Sequence, residues 1–339
     1  MRTAELTQGT VTSRDGTEIG YYRTGANDQA PAVVVLHGSM ESARSHLLLA
    51  EALADEFTVY LPDRRGRGLS GPHRSGHGVR TEVEDLQAVL SATGAELVFG
   101  VSAGGAVVLE TARTTTARTA AAADADAAHT AADTTTTADT ARTAAHAASA
   151  SPSAGTLPAL RKVAVYEPAL VADAAPHRAW LARFDEEIAR GDVAGAMVTS
   201  MFGFEMAPAF LKVMPRGLLR LMTEKMMAKD ERQAAAGAVT MRGLAPTIHA
   251  EGTIVAELAG TFDAFRAVQA EVLLMGGSKG LRGLTPGRDT LEKVLPHCTR
   301  IEFDGYDHGS SSDPGGLNPT GKPEAVRRIA TELKSFFNR

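Results

Sequence analysis

Residues 96–109 read Glu-Leu-Val-Phe-Gly-Val-Ser-Ala-Gly-Gly-Ala-Val-Val-Leu, and this stretch decides the fold. Its first residues form a short apolar run that is typical of a buried strand, and the small and apolar residues at its end favour a helix. Between them stands Gly100-Val101-Ser102-Ala103-Gly104, in which a serine has a glycine two residues away on each side. The pattern predicts a strand, a sharp turn at Ser102 and a helix.

The two glycines have a steric explanation. In a sharp strand-to-helix turn the two backbones approach closely, and only glycine at positions 100 and 104 leaves the necessary room. Ser102 would then project alone above the sheet edge, and the helix would aim its free N–H groups at a developing negative oxygen. This arrangement is a nucleophile elbow. A glycine-rich turn after a buried strand gives the same letters, so the interpretation depends on the rest of the chain.

Composition excludes several classes of protein. The 339 residues, 44% of them hydrophobic, suit one large α/β domain with an insertion or two domains. A net charge of -5 with scattered Lys and Arg offers no basic field for nucleic acid or membrane lipid. The single cysteine, Cys298, gives no disulfide framework and no thiolate metal site, and is expected to be a buried or half-buried structural thiol. Residues 1–8 lack the apolar segment of a signal peptide, so we expect a soluble cytoplasmic protein.

Strand and helix patterns alternate along the chain. An opening hairpin is predicted within residues 10–23, and helical patterns lie at 42–57, 79–93, 289–295 and from 323 onward. Continuous apolar runs that predict buried strands lie at 32–36, 58–61, 97–101, 162–166, 271–275 and 300–303. Strands that alternate with helices at this spacing need right-handed crossovers, which gives a mostly parallel sheet covered on both faces.

Two segments interrupt this alternation. Residues 111–156 consist mainly of Ala and Thr and have no apolar face to bury, so we expect a low-complexity insertion that is disordered or weakly helical, with His129 and His146 in solvent. Residues 171–265 predict an α-helical cap. The core would then comprise residues 1–110, a strand segment at 157–170 and residues 266–339. The cap methionines predict either core packing or an adaptable apolar lining for a substrate: Met197, Met201, Met206, Met214, Met222, Met226, Met227 and Met241.

Four motifs then occur in a fixed order: His37-Gly38, Asp63-x-Arg65-Gly66-x-Gly68-x-Ser70, Gly100-x-Ser102-x-Gly104 and Gly305-x-x-His308. With them the chain resembles the α/β-hydrolase superfamily, over roughly residues 9–338 apart from the low-complexity insertion and most of the cap. The resemblance implies an α/β fold: a mostly parallel eight-stranded sheet with helices on both faces and an inserted helical cap.

The resemblance also implies the site residues. Ser102 would be the nucleophile and His308 the general base. Backbone N–H groups of Ala103 and Ser39 would form the oxyanion hole, with Met40 as the alternative to Ser39.

Three further motif residues are interpreted as structural. His37 would support the oxyanion loop, and Asp63 and Arg65 resemble the pair that stabilises a turn in the family.

The acid departs from the common pattern. The family often places an aspartate in a Gly-x-x-Asp turn after the strand at 271–275, but residues 276–279 are Gly-Gly-Ser-Lys. Asp289 lies too far along the chain, and Asp307 is next to His308 and poorly placed to reach its Nδ1. A minority of the superfamily carries the acid one strand earlier, where this chain has Glu167, so Glu167 is expected to be the acid of the triad. The alternative is that Glu167 is an ordinary polar residue that ends a strand before a proline.

The leading hypothesis is a serine hydrolase that cleaves a small lipophilic ester, thioester or lactone through a Ser-His-acid triad and an acyl-enzyme intermediate. Hydrolysis of carbon–carbon bonds and acyl transfer use the same site and remain open, as does a non-catalytic binding protein on this scaffold. The glycines around Ser102 lack the Gly-x-Gly-x-x-Gly order of a nucleotide-binding domain. We expect no cofactor and, because the histidines are dispersed in sequence, no metal. The expected partner is a small-molecule substrate, with no nucleic acid or membrane, and the chain is expected to be a monomer or homodimer.

Overall fold

A central sheet of eight strands organises the computed structural model, which describes residues 6–25, 29–116, 158–234, 239–315, 318 and 321–339. The spatial order of the strands is β1-β2-β4-β3-β5-β6-β7-β8. The strands are β1 (Thr7–Thr12), β2 (Glu18–Thr24), β3 (Ala32–Leu36), β4 (Thr58–Pro62), β5 (Leu97–Val101), β6 (Lys162–Tyr166), β7 (Glu271–Gly277) and β8 (Cys298–Phe303). In this spatial order, β4, β3, β5, β6 and β7 each pair in parallel with the next strand. The pairs β1 with β2 and β2 with β4 are antiparallel. The prediction of a mostly parallel eight-stranded α/β-hydrolase sheet is confirmed.

Helices follow most of the strands. They are α1 (Leu47–Leu53), α2 (Val79–Thr93), α3 (102–116), α4 (Ala175–Ala189), α5 (Val193–Gly203), α6 (Arg216–Gln233), α7 (Met241–Leu244), α8 (Ile248–Leu258), α9 (Thr285–Val294) and α10 (Pro323–Phe337). Two predicted boundaries were wrong. The pattern at 42–57 begins with a 3₁₀ turn at Ala43–His46 before α1, and α9 begins four residues earlier than predicted, because Pro286 fits a first helical turn.

The central strands of the sheet are buried on both faces, so most of their residues are apolar whichever face they point to. Val34 and Val98 face a layer that contains α2, α3 and α9, while their neighbours Val33 and Phe99 face α1 and α10. Alternate strand residues point to opposite faces, so a continuous apolar run fills two cores at once. This double burial holds the carboxyl ends of the parallel strands in one fixed row.

Helices α4 to α8, which we call the helical insertion (residues 175–258), lie between β6 and β7 in the chain. The insertion contacts the loops at the carboxyl ends of the strands. Met40, after β3, packs against an apolar cluster that includes Leu181 and Phe184, and Ala169, after β6, belongs to one cluster with Val255. The insertion is therefore placed beside the sheet edge that carries the motif residues.

The methionines of the insertion do not all serve the predicted purposes. Met227 and Met241 are buried in an apolar cluster. Met206, Met222 and Met226 are about half exposed, so their interpretation as core packing is wrong, while a pocket lining stays a prediction. Helical periodicity alone does not distinguish the two faces of a helix when both carry apolar residues.

Several predictions concern residues outside the described part of the chain. The low-complexity insertion at 111–156 is described only over 111–116, which continue α3, and His129 and His146 lie outside. The five-part division of the chain stays a prediction. No helix in the described residues is long and apolar enough to cross a membrane.

Candidate active site

The predicted turn forms at Ser102. This residue follows the last residue of β5, begins α3 and has a positive φ of 52°, a strained conformation for a side chain with a Cβ atom. A Cβ added at Gly100 would lie 2.8 Å from the carbonyl oxygen of Gly104, and one added at Gly104 would lie 2.3 Å from that of His37. Both glycines are thus required by close backbone contacts, as the motif predicts.

Glu167 leaves the sheet next to Ser102. Val101 and Tyr166, which end the adjacent parallel strands β5 and β6, are register partners, so the two following residues lie side by side. The N–H of Ala169 donates to the carbonyl oxygen of Ser102 at 2.9 Å, which fixes the two turns to each other. Glu167 also has a positive φ, 45°, and is fully buried.

The carboxylate of Glu167 contacts His308 across 141 residues of sequence. Its Oε2 lies 2.7 Å from Nδ1 of His308, which begins a short 3₁₀ helix after β8. Oε1 accepts the N–H of Gly277 at 3.1 Å, and Oε2 also accepts the N–H of Leu281 at 3.2 Å. Nη1 of the buried Arg288 lies 3.6 Å from Oε1. Every neighbour is a donor or a cation.

These contacts keep Glu167 ionised. Burial raises the pKa of the Glu167 carboxyl, but the hydrogen bond and charge of His308, the Gly277 N–H and Arg288 together hold that pKa below its usual value. An ionised carboxylate only accepts, so Nδ1 of His308 must carry the proton of this bond. When His308 is neutral, its Nε2 is then an acceptor.

The other two carboxylates weighed from the sequence have different partners. Asp289 accepts from Arg300 at 2.7 Å, and the side chain of Asp307 caps the 3₁₀ helix by accepting from Ser310 at 2.9 Å. The turn after β7, where the family commonly has an aspartate, contributes the N–H of Gly277 to Glu167 instead. The structure brings together His308 and Glu167.

The loop after β3 lies against the elbow. His37 is fully buried, its Nδ1 is 2.9 Å from the carbonyl oxygen of Gly38, and its Nε2 accepts the N–H of Arg64 at 3.0 Å. Burial and the nearby guanidinium groups hold the pKa of His37 well below its usual value, so the ring is a neutral support for the loop. A Cβ added at Gly38 would lie 3.0 Å from Cβ of Ser102, so this loop packs directly on the serine.

The predicted oxyanion donors lie on either side of this contact. Ala103 is buried in the first turn of α3, directly after Ser102. Ser39 follows Gly38, and its hydroxyl is buried with no hydrogen-bond partner in the described part of the chain. Met40 has a positive φ of 56°, which marks a sharp turn of the loop at this point. The choice between Ser39 and Met40 as the second donor stays a prediction.

Asp63 and Arg65 stabilise the turn after β4 through different partners rather than as one pair. Asp63 accepts the N–H groups of Ala43 and Leu69 at 2.7 and 2.9 Å. Arg65 binds the carboxylates of two residues outside the motif, at distances from 2.6 to 2.9 Å: Asp15 and Asp85.

One group of side chains has a composition that could hold a metal ion. Ligand atoms of His73, His77 and Glu82 lie within 4.8 Å of one another, although the two histidines were treated as dispersed in the sequence. Both oxygens of Glu82 are, however, already bonded to Arg64 at 2.9 and 3.0 Å. A guanidinium in this position opposes a second cation, so the group is better explained as part of a buried network in which Arg64 also binds Glu251.

Two charged residues of the site were missed from the sequence, the buried Arg288 and the mostly buried Glu41. Arg288 approaches Glu167, and the space for it exists because a Cβ at Gly276 would lie 1.3 Å from its Nη1. Glu41 accepts the N–H of Gly38 at 2.6 Å. No sequence pattern indicated Glu41, and the signal for Arg288 was the pair of glycines at the end of β7.

An eight-stranded, mostly parallel sheet with a strained serine after β5 and an acid–histidine pair beside it defines the α/β hydrolases as a class. A model of the alpha/beta hydrolase family matches residues 33–314, and the chain belongs to this family.

Solved structures are similar over nearly the whole chain. An alpha/beta hydrolase from Sphaerobacter thermophilus is 22% identical, with a TM-score of 0.64, covering 96% of this chain and 99% of that one. A thermophilic esterase from Thermogutta terrifontis is 15% identical, with a TM-score of 0.60, covering 99% and 98%. A 2-hydroxy-6-oxo-6-phenylhexa-2,4-dienoate hydrolase from Rhodococcus is 18% identical, with a TM-score of 0.57, covering 98% and 100%. These likenesses show the fold. No curated protein sequence matches the chain.

Proposed function

We propose that the protein is a serine hydrolase that cleaves a small lipophilic carboxylic ester, thioester or lactone. Ser102 is the nucleophile, His308 the general base and Glu167 the acid of its triad. The observation that carries the proposal is the 2.7 Å contact between the Glu167 carboxylate and Nδ1 of His308, at the sheet edge where Ser102 stands on its strained turn. A surface histidine needs no fully buried carboxylate, whereas a general base needs one to fix its tautomer.

The reaction follows from the proton positions. Nε2 of His308 takes the proton of the Ser102 hydroxyl while Oγ bonds to the substrate carbonyl carbon, and the carbonyl oxygen becomes negative. His308, now charged, gives that proton to the leaving oxygen or sulfur as its bond to carbon breaks. The acyl-enzyme is hydrolysed by the same steps, with a water in place of the serine.

Two parts of the site support the charges that develop. The ionised Glu167 stabilises the imidazolium of His308, and its three N–H and guanidinium neighbours keep it from taking the proton. The N–H groups of Ala103 and Ser39 hold the negative oxygen, and the positive end of α3 adds to their effect. The serine is thus activated on one side and the carbonyl on the other.

Two observations support the proposed substrate class. The helical insertion packs apolar residues against the loops after β3 and β6, which favours a lipophilic substrate. One similar structure is an esterase and another a hydrolase of a carbon–carbon bond. Ester hydrolysis is the simpler proposal, because it needs no chemistry beyond the triad.

The test combines labelling and turnover. A fluorophosphonate probe should label the protein, and Ser102→Ala should abolish the labelling. A series of p-nitrophenyl esters from acetate to laurate should then show preference for short to medium acyl chains. Turnover of 2-hydroxy-6-oxo-6-phenylhexa-2,4-dienoate without ester turnover would instead identify carbon–carbon hydrolysis.

A non-catalytic binding protein is the alternative from another class. Its motivation in the sequence was the missing aspartate after β7, and the contact between Glu167 and His308 removes that motivation. Absence of both labelling and turnover would favour it nevertheless.

A further inference from the structure

Glu41 joins three parts of the candidate site through one mostly buried carboxylate. Its Oε2 accepts the N–H of Gly38 at 2.6 Å and lies 3.2 Å from Nε2 of the fully buried His46. Its Oε1 accepts the hydroxyl of Ser312 in a short hydrogen bond. The side chain is 17% exposed, so water has little access to these bonds.

Glu41 and the proposed nucleophile both lie close to Gly38. The position of an added Cβ at Gly38 lies 3.0 Å from Cβ of Ser102 and 3.2 Å from Oε2 of Glu41. The carboxylate therefore binds a glycine that is itself packed on the serine. Because it accepts the N–H of Gly38, this bond fixes the His37–Gly38 peptide, which comes directly before the peptide that carries the N–H of Ser39, the predicted oxyanion donor.

The Ser312 contact ties the same carboxylate to the loop of the general base. Ser312 follows the 3₁₀ helix that begins at His308. The next residue, Asp313, donates its N–H to the carbonyl oxygen of Ser45 at 2.8 Å and accepts the N–H of Leu48 at 3.0 Å. The segment after the oxyanion loop and the segment after His308 are thus bonded at several points.

The charge of Glu41 is compensated within the cluster. Burial raises the pKa of Glu41, but His46 and the Ser312 hydroxyl outweigh it and lower that pKa to about 2. Burial lowers the pKa of His46, yet Glu41 and Asp313 raise it above its usual value. A lone carboxylate here would repel a negative oxygen beside Ser102, and its contacts with Gly38, His46 and Ser312 reduce that repulsion.

We propose that Glu41 is a positioning residue: its carboxylate sets the oxyanion loop against Ser102 and couples that loop to the segment that follows His308. This inference rests on the proposed serine-hydrolase function. It assigns Glu41 no contact with substrate, so its effect should fall on the transition state rather than on substrate binding.

Two variants at position 41 separate hydrogen bonding from charge. Glu41→Ala removes all the bonds, and a shift of the loop by a fraction of an ångström should lower kcat by about 10- to 100-fold with KM within about threefold. Glu41→Gln should keep kcat within about fivefold, because its amide oxygen can accept from Gly38 and His46 and its NH2 group can donate to Ser312. Glu187→Ala is the control, since it removes a buried carboxylate bonded to Thr199 and Arg216 in the helical insertion.

Inhibition by a trifluoromethyl ketone measures a property that does not change when only the stability of the fold is lowered. The ketone adds to the serine and forms a negative tetrahedral oxygen, so its inhibition constant should rise in Glu41→Ala by the same factor as kcat/KM falls. The control should unfold at a lower temperature with inhibition unchanged.

The outcomes are distinguishable. Normal kcat and inhibition in folded Glu41→Ala would overturn this inference alone, and so would an equal loss in Glu41→Gln and Glu41→Ala. A wild-type protein that is neither labelled by the fluorophosphonate nor active would overturn the proposed function and this inference with it.

Discussion

Replacing Glu167 by glutamine tests the triad at its least expected member. All neighbours of the Glu167 carboxylate are donors, so the NH2 group of glutamine must face one of them. If the NH2 group took the position of Oε1, it would face the Gly277 N–H and the Arg288 guanidinium. At the Oε2 place it meets the Leu281 N–H and Nδ1 of His308, and only the imidazole can respond, by moving its proton to Nε2.

The favoured arrangement therefore leaves His308 in the wrong tautomer. With a proton on Nε2 the imidazole cannot take the proton of Ser102, and the imidazolium also loses its counter-charge. We expect kcat to fall by about 10³ to 10⁴, which is about 4 to 5.5 kcal/mol in activation free energy. The facing N–H of Leu281 adds a stability cost of about 1–3 kcal/mol, which a folded domain can survive.

The assay is turnover of the best p-nitrophenyl ester, with thermal unfolding followed in parallel. Asp289→Asn is the matched control, because it also removes a carboxylate that is bonded to a cation but lies away from His308, and its kcat should stay near that of the wild type. Folded Glu167→Gln with kcat within about threefold of the wild type would refute the reasoning and remove Glu167 from the triad.

Three further predictions concern strain and buried charge. Ser102→Gly should unfold at the same temperature as Ser102→Ala or at a higher one. Glycine usually lowers stability, but a φ of 52° favours glycine by about 1 kcal/mol. A clearly lower unfolding temperature for Ser102→Gly would argue against strain at the turn. The pKa of Glu41 is lowered in the folded state, so its contribution to stability is present above pH 4.5 and is lost as the pH falls toward about 2. The unfolding temperature should therefore fall less steeply over this range in Glu41→Gln than in the wild type, and parallel curves would contradict this. Glu251→Ala leaves the buried guanidinium group of Arg67 without a partner carboxylate and removes one of the two carboxylates that bind Arg64, whose other partner is Glu82. It should cost about 3–5 kcal/mol in chemical denaturation, and a loss below about 1 kcal/mol would show that the network is not buried as described.

The sequence was sufficient where a local steric rule or a periodic pattern leaves one solution. The Gly-x-Ser-x-Gly spacing at 100–104 allows one turn geometry, and its glycines meet backbone atoms as expected. Continuous apolar runs between helices allow only a parallel sheet buried on both faces, and α2 forms at Val79–Thr93 as predicted. The identity of the family follows from the order of these features.

The sequence could not decide which side chains meet across long separations. The resemblance to the family indicated Glu167 as the acid, but its contact with His308 depends on the pairing of β5 with β6 and on the turn after β7, which offers an N–H. Glu41 gave no pattern at all, because its partners come from separate segments of the chain.

By itself, then, the sequence determined the sheet, the elbow at Ser102 and the positions where acid and base could stand, because these depend on short-range sterics and on apolar periodicity. Only the tertiary structure decided that Glu167 meets His308, that the other candidate carboxylates serve elsewhere and that Arg288 and Glu41 lie beside the site. The physical reason is that a buried charge is stable only where several distant donors converge on it, and that convergence is a property of the packed loops rather than of any one segment.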